Sequence, residues 1–221
     1  MTVDDAPSAN RVERRKQRTR AALIKAAQAF IAEGKLNVPI LEITQAADVG
    51  MGSFYNHFTS KEELFDAAVI DTLDAHGALL DELTAAIDDP AETFACSFRL
   101  TGRLFRSRPR EAQILLNNGP SLISSDRGVA PRARRDIVAG IEAGRFTIED
   151  PELALAIAGG VLMGVGILVR DHPDRDDGAT ADLATENLLR VFGLPVDEAR
   201  AMCRKPLPDL GSLRDVRAGS A

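Results

Sequence analysis

Acid–proline pairs and glycines cut this 221-residue chain into helix-sized pieces, and that punctuation constrains its fold most strongly. Asp89-Pro90 (with Glu92) and Asp150-Pro151 each put a side-chain acceptor just ahead of a residue whose φ is already near the helical value. Gly144 and Gly193 follow apolar-periodic stretches and predict helix stops. "TSKEE" reads as a capping box, with Ser60 accepting from the Glu63 N–H and Glu63 reaching back. Between these marks apolar residues recur at helical spacing, as in Leu23, Ala27, Phe30 and Ile31, and strand signals are weak throughout. The pattern predicts about ten helices. The first spans 10–33, the second opens at Pro39 and runs to 47, and a short third covers 51–58. A long fourth begins at 61. "RSRP" at 106–109 and "NNGP" at 117–120 are expected to end helices. Further helices are expected at 129–143, 151–170 and 179–192, with a short last one from Pro195. The expected class is all-α, and residues 206–221 read as a loose tail.

Charge is uneven along the chain. Residues 11–35 carry eight Lys/Arg against Glu13 and Glu33, a net of +6, which leaves −12 on the remainder of a chain whose total is −6. A basic contact region on an acidic body is the expectation. Two distant cysteines, Cys96 and Cys203, suit neither a disulfide framework nor a zinc knuckle, so the expected compartment is a reducing cytosol. The polar, then basic, start predicts no signal peptide. The longest apolar run, 153–169, is at the short limit for a membrane span and reads as a buried helix, so no membrane partner is expected.

The stretch "ADVGMGSFYNHF" (47–58) holds the only tyrosine. A short helix, a glycine-flanked turn and a second short helix make a helix-turn-helix, whose second helix fits the major groove. Ile43, Ala47, Val49, Phe54 and Phe58 would form its small core. Gly50 and Gly52 would let the backbone approach DNA, leaving Met51, Ser53, Asn56 and His57 to face bases. Tyr55 and Lys61 would hold phosphates, and Arg11, Arg14, Arg15 and Arg18 would follow the DNA backbone or enter the minor groove. A tight helical corner with a purely structural aromatic core is the alternative reading of the same spacing.

Residues 12–66 also resemble the DNA-binding domain of TetR-type transcriptional repressors. The likeness is carried by "EITQAADVG", by the ordered "Y-x-x-F-x-x-K-x-x-L" and by "SKEEL". It implies an all-α homodimer with a ligand pocket in the C-terminal domain, and Tyr55 and Lys61 as phosphate contacts. Four positions depart from the family pattern. Gly50 stands where Ser or Thr is frequent, Met51 where a polar residue is common, Asp48 where the family has glycine, and Pro39 where a Thr is common. The expected organisation is a helix-turn-helix domain over 10–60 (the motif itself at about 39–58) and an effector-binding and dimerisation domain over 61–205.

In the C-terminal half, the glycine- and alanine-rich helix near 153–170 and the helix near 179–192 resemble the family's two-helix dimer element. Ala156, Gly160, Met163, Gly164, Leu183, Leu188 and Phe192 are the expected interface residues. Phe94, Phe98, Phe105, Leu116 and Asn117 are the candidate ligand contacts, with Asn118, Arg99, Arg103 and His76 as further polar markers. His57, His76 and His172 show no metal-ligand spacing, "HPDRDDG" fails the EF-hand order, and no nucleophile elbow or phosphate loop occurs, so neither a cofactor nor a metal is expected. The functional expectation is a dimeric, non-enzymatic, cytoplasmic regulator that a small molecule releases from a palindromic DNA operator. The alternative is an all-α enzyme or carrier that does not bind DNA.

Overall fold

The computed structural model describes residues 6–123 and 126–208, and among these the chain forms ten helices and no strand. Of the expected tail, only 206–208 fall within the described residues. The helices are α1 (Ala6–Ala32), α2 (Ile40–Ala46), α3 (Met51–Tyr55), α4 (Lys61–Thr84), α5 (Pro90–Ser107), α6 (Pro109–Ile123), α7 (Val129–Glu142), α8 (Pro151–Asp171), α9 (Asp177–Val191) and α10 (Val196–Arg204).

The punctuation works as physical chemistry dictates. Asp89 Oδ1 accepts from the Ala91 N–H at 3.0 Å. Asp150 Oδ1 accepts from the N–H groups of Glu152 and Leu153, and Asp176 Oδ1 from that of Ala179. Each satisfies donors that the first helical turn leaves orphaned. At Gly193, φ is +104°, and an added Cβ would collide with the Thr147 hydroxyl. The stop after α9 therefore needs glycine for conformation and for space.

Four local expectations are corrected. Pro39 sits just before α2, with ψ 147°, rather than in its first turn. Helix α3 ends at Tyr55, so Asn56, His57 and Phe58 lie on the turn beyond it. The capping box is reciprocal but displaced. Ser60 Oγ accepts from the Glu63 N–H at 3.1 Å, while the Glu63 carboxylate accepts from the N–H and hydroxyl of Thr59, both at 2.6 Å. Finally, "NNGP" does not end a helix, because α6 runs on to Ile123. A proline removes one helical hydrogen bond, and buried Ala112, Ile114 and Leu115 anchor the preceding turns of α6.

Packing follows from the stripes. α1 lays Leu23, Ile24, Ala27 and Ile31 on α4 and α6, and a continuous core runs from the α2–α3 corner through these helices to Val165 and Val169 of α8. α5 is the hub of the other half, in contact with α7, α8, α9 and α10. There Phe94, Phe146 and Phe192 meet at centroid separations of 5.2–5.9 Å, in edge-on or tilted pairs that suit the ring quadrupoles. α8 is apolar and long enough to cross a membrane by composition and length. Here one side packs on α5, α6, α7 and α9, and the other is open.

Candidate nucleic-acid interface and ligand cavity

The α2–α3 corner is held from within. Ile43 and Phe54 are fully buried and Phe58 nearly so, with Ala47 and Val49 packed against them. The sharp turn between the helices places Asp48 at φ +53°, the left-handed region, which a short polar side chain tolerates better than most. Asp48 thus occupies the position of the family glycine with a residue able to hold that conformation.

Outside this corner stands an open polar face. Tyr55 is 61% exposed, its ring edge-on to Phe54 at 5.2 Å. Met51, Gly52 and Asn56 are exposed, and Ser53 and His57 are half-buried. Neither Gly50 nor Gly52 has any atom closer than 4.0 Å to an added Cβ, so nothing in the fold itself requires glycine there. Arg14, Arg15 and Arg18 on α1 are exposed. The same helix brings Arg20 over the Phe58 ring at 5.2 Å. Burial lowers the His57 pKa, and the charges of Lys16 and Arg20 lower it further, so the basic stretch lies alongside the end of α3. Lys61 opens α4, and its Nζ donates to Asn37 Oδ1 at 3.2 Å. The loop before α2 is thereby tied to the same end of the molecule.

A second site lies about the middle of the other half. Helices α4, α5, α6, α7 and α8 enclose a cavity of about 90 Å³. Phe94, Phe98, Leu115, Leu155 and Leu162 give it apolar walls. One end is polar. Arg132 Nε donates to Asp81 Oδ2 at 2.6 Å and its Nη1 to the Gly128 carbonyl at 2.7 Å. Arg135 Nη2 donates to Asp81 Oδ1 at 3.1 Å and its Nε to Asp136 Oδ1 at 2.9 Å. Burial pushes the Asp81 carboxyl up, but the two guanidinium groups outweigh it and hold the acid below its usual range. Asp136 is only 6% exposed, and for it burial wins, so its carboxyl is pushed up. Gly77 of α4 lies against Arg132, whose Nη1 would be 2.5 Å from an added Cβ, so the guanidinium fits because that position is glycine.

Thr101 also lines the cavity. Its hydroxyl lies 2.8 Å from the Ser97 carbonyl and 3.0 Å from Nε2 of buried His76. A carbonyl only accepts, so the Thr101 hydrogen goes to Ser97 and His76 Nε2–H donates to Thr101. His76 Nδ1 is then a bare lone pair, buried and without a hydrogen-bond partner among the described residues. Burial, helped by the charge of Arg108, lowers the His76 pKa to about 4, so the ring is neutral.

Of the expected ligand contacts, Phe94 and Phe98 line this cavity. The other three do not. Phe105 is buried under Gly166, where Leu116 also packs, and Asn117 is exposed and accepts from Gln113. The Asn118 side chain lies outside the described residues. Arg99 and Arg103 are committed to Asp182 of α9, at 2.8 and 2.7 Å. The sequence reading missed Asp81, Arg132, Arg135 and Asp136. Its available signal was "RARRD", which sets a carboxylate at helical spacing from Ala133, Ile137 and Gly140 on an otherwise inward face.

On α8 and α9 the expected interface residues separate. Ala156, Gly160, Gly164 and Leu183 are exposed, and nothing lies within 4 Å of a Cβ added at either glycine. Leu188 and Phe192 point the other way, into the Phe94 cluster, with 2% and 0% exposure, and Met163 lines the cavity. The open apolar face is instead completed by Leu153, Ile167 and Val191.

Comparison with known proteins agrees with this layout. Residues 23–68 match the family model for bacterial regulatory proteins of the tetR family, and residues 89–205 match that for tetracyclin repressor-like C-terminal domains. The chain belongs to the tetR family and is a transcriptional regulator of the ligand-responsive, DNA-binding kind. Among solved structures it is similar to RolR without ligand, at 35% identity, covering 86% of this chain and 98% of that one, with a TM-score of 0.72. The RolR complex with resorcinol matches at 34% identity, covering 90% and 99%, with a TM-score of 0.64. A fatty-acid regulator, FadR from Bacillus subtilis with stearoyl-CoA, shares the fold at 17% identity, covering 76% and 97%, with a TM-score of 0.62. No curated protein matches the chain.

Proposed function

We propose that the chain is a cytoplasmic homodimeric repressor that occupies a palindromic operator and leaves it when a small molecule fills the α4–α8 cavity. Residues 10–60 contact DNA, and residues 61–205 bind the effector and dimerise. Tyr55 and Lys61 hold phosphates, Arg14, Arg15 and Arg18 follow the DNA backbone, and Met51, Ser53, Asn56 and His57 read base edges beside Gly50. The observation that carries this reading is the exposure of the single tyrosine on a corner whose other aromatics are buried, beside a basic α1. The open faces of α8 and α9 pair two copies about their Gly160 and Gly164 surfaces, setting two recognition helices about 34–36 Å apart. RolR, similar along nearly its whole length, was solved with resorcinol, and the cavity here, at about 90 Å³, has room for no more than one ring. A ring in this cavity touches α4, the helix whose first turn abuts the corner. Release follows if the ring binds better to the geometry in which the two corners no longer match the operator spacing.

Genomic fragments selected by the purified protein supply the operator for a mobility shift. Resorcinol should weaken that shift. Lys61→Ala and Tyr55→Phe should weaken binding to every sequence alike, and Lys61→Ala should reduce the salt slope by about one. An unchanged slope and affinity for Lys61→Ala would remove it from the phosphate contacts. Failure to retain any fragment would remove the DNA-binding reading.

A further inference from the structure

We propose that the cavity selects an uncharged aromatic ring bearing hydroxyl donors, with Asp136 as the principal acceptor and Thr101 as a second, and that it rejects the corresponding aromatic carboxylates. The inference rests on the cavity's being the effector site and adds the ligand's chemical class and the residues that choose it.

The argument is an inventory of donors and acceptors. Asp136 is nine-tenths buried, and among the described residues only Arg135 reaches it, at Oδ1. A carboxylate has room for about four hydrogen bonds, so most of this group's capacity is unused. Thr101 has spent its hydrogen on Ser97 and still has a lone pair after accepting from His76. Both groups line the cavity, and both can only accept. The nearby donors are largely engaged, with Arg132 on Asp81 and the Gly128 carbonyl, and Arg135 on Asp81 and Asp136. Two guanidinium groups face two carboxylates, so the polar end is already neutral. An incoming carboxylate would sit beside Asp136 in an apolar enclosure with no unmatched cation to receive it. A phenolic O–H instead makes a charge-assisted hydrogen bond to a desolvated carboxylate, the stronger kind. Size limits the ligand as well. At about 90 Å³ the space is below the roughly 150 Å³ of an apolar cavity that admits benzene, so one ring fits with some movement of the walls and a long acyl chain does not.

The test is titration calorimetry on the full-length protein without DNA, using resorcinol, its methyl isostere 1,3-dimethylbenzene, and 3-hydroxybenzoate at pH 7. Resorcinol should bind, with the isostere at least tenfold weaker and 3-hydroxybenzoate at least thirtyfold weaker. Asp136→Asn keeps shape and one acceptor but removes the charge. It should weaken resorcinol about tenfold and narrow the gap to 3-hydroxybenzoate, while circular dichroism reports an unchanged helix content. If that variant does not fold, the three-ligand series on the unaltered chain still decides. The proposal is overturned if 3-hydroxybenzoate binds as well as resorcinol, if the isostere does, if a folded Asp136→Asn binds resorcinol undiminished, or if resorcinol does not bind at millimolar concentration. Operator release is measured separately. Selective binding without release would sink the repressor mechanism and leave the selectivity standing.

Discussion

The α2–α3 corner and the α4–α8 cavity are built in opposite ways. The corner is contiguous in sequence, closed inside and open outside: Ile43, Phe54 and Phe58 lock two short helices while Tyr55, Met51 and Asn56 stay exposed. The cavity takes residues from five helices spread between Leu80 and Met163, and its polar end joins buried Asp136 to half-buried Asp81 and Arg132 and exposed Arg135. A surface that must meet a long polyanion needs only a rigid support and outward charge, which a local motif supplies. A pocket that must desolvate a small molecule needs walls on every side, and no local segment has enough of them.

The strongest way to break this comparison is to damage the corner alone. Phe54→Ala removes a fully buried ring and should cost about 3–5 kcal/mol of stability. DNA binding should vanish while resorcinol binding in calorimetry stays within twofold. Loss of both together would show that the core running from the corner into α6 and α8 makes the halves one cooperative unit.

Two glycines on α8, two residues apart, test the inside and outside of the other half. A Cβ at Gly166 would meet the Phe105 ring at 2.5 Å and Leu116 at 2.8 Å, whereas one at Gly164 meets nothing within 4 Å. Gly166→Leu should therefore lower stability by about 1–3 kcal/mol through overpacking, read by urea unfolding. Gly164→Leu should leave the folded protomer intact but give monomer in sedimentation, with operator binding lost. A Gly164→Leu protein that remains dimeric would move the interface off this face.

Acid should sharpen the contrast by loosening the cavity half. His76 is buried neutral with its pKa lowered from 6.5 to about 4. Below pH 6.5 the unfolded chain binds a proton that the folded chain refuses, so stability falls as pH drops from 6.5 towards 4 and levels off below. One and a half units in that window correspond to about 2 kcal/mol at pH 5. Urea unfolding at pH 7 and pH 5 should show this loss, and His76→Gln, which retains a donor for Thr101, should remove most of it. A loss of equal size in His76→Gln would assign the pH dependence to other groups.

Sequence alone determined the helical class, most helix ends and the corner. Asp–Pro starts, glycine stops and the 3.6-residue spacing each act within one or two turns, so their outcome does not depend on what packs nearby. It failed at Pro120, where a local breaker lies within a helix whose preceding turns are packed into the core. It also read α8 as a buried helix and set Leu183, Leu188 and Phe192 on one dimer face, whereas the side of α8 bearing Gly160 and Gly164 is open and Leu188 and Phe192 turn inward. Leu183 and Leu188 stand five residues apart, on different sides of a 3.6-residue helix, and the Phe94, Phe146 and Phe192 cluster takes Leu188 inward while Leu183 stays exposed. The cavity's polar end was decided by tertiary structure alone. Asp81, Arg132 and Asp136 read as ordinary charges on amphipathic helices until α4 and α7 pack together. Burial then turns Asp136 from a solvated group into a desolvated carboxylate, held by Arg135 at the edge of an apolar cavity.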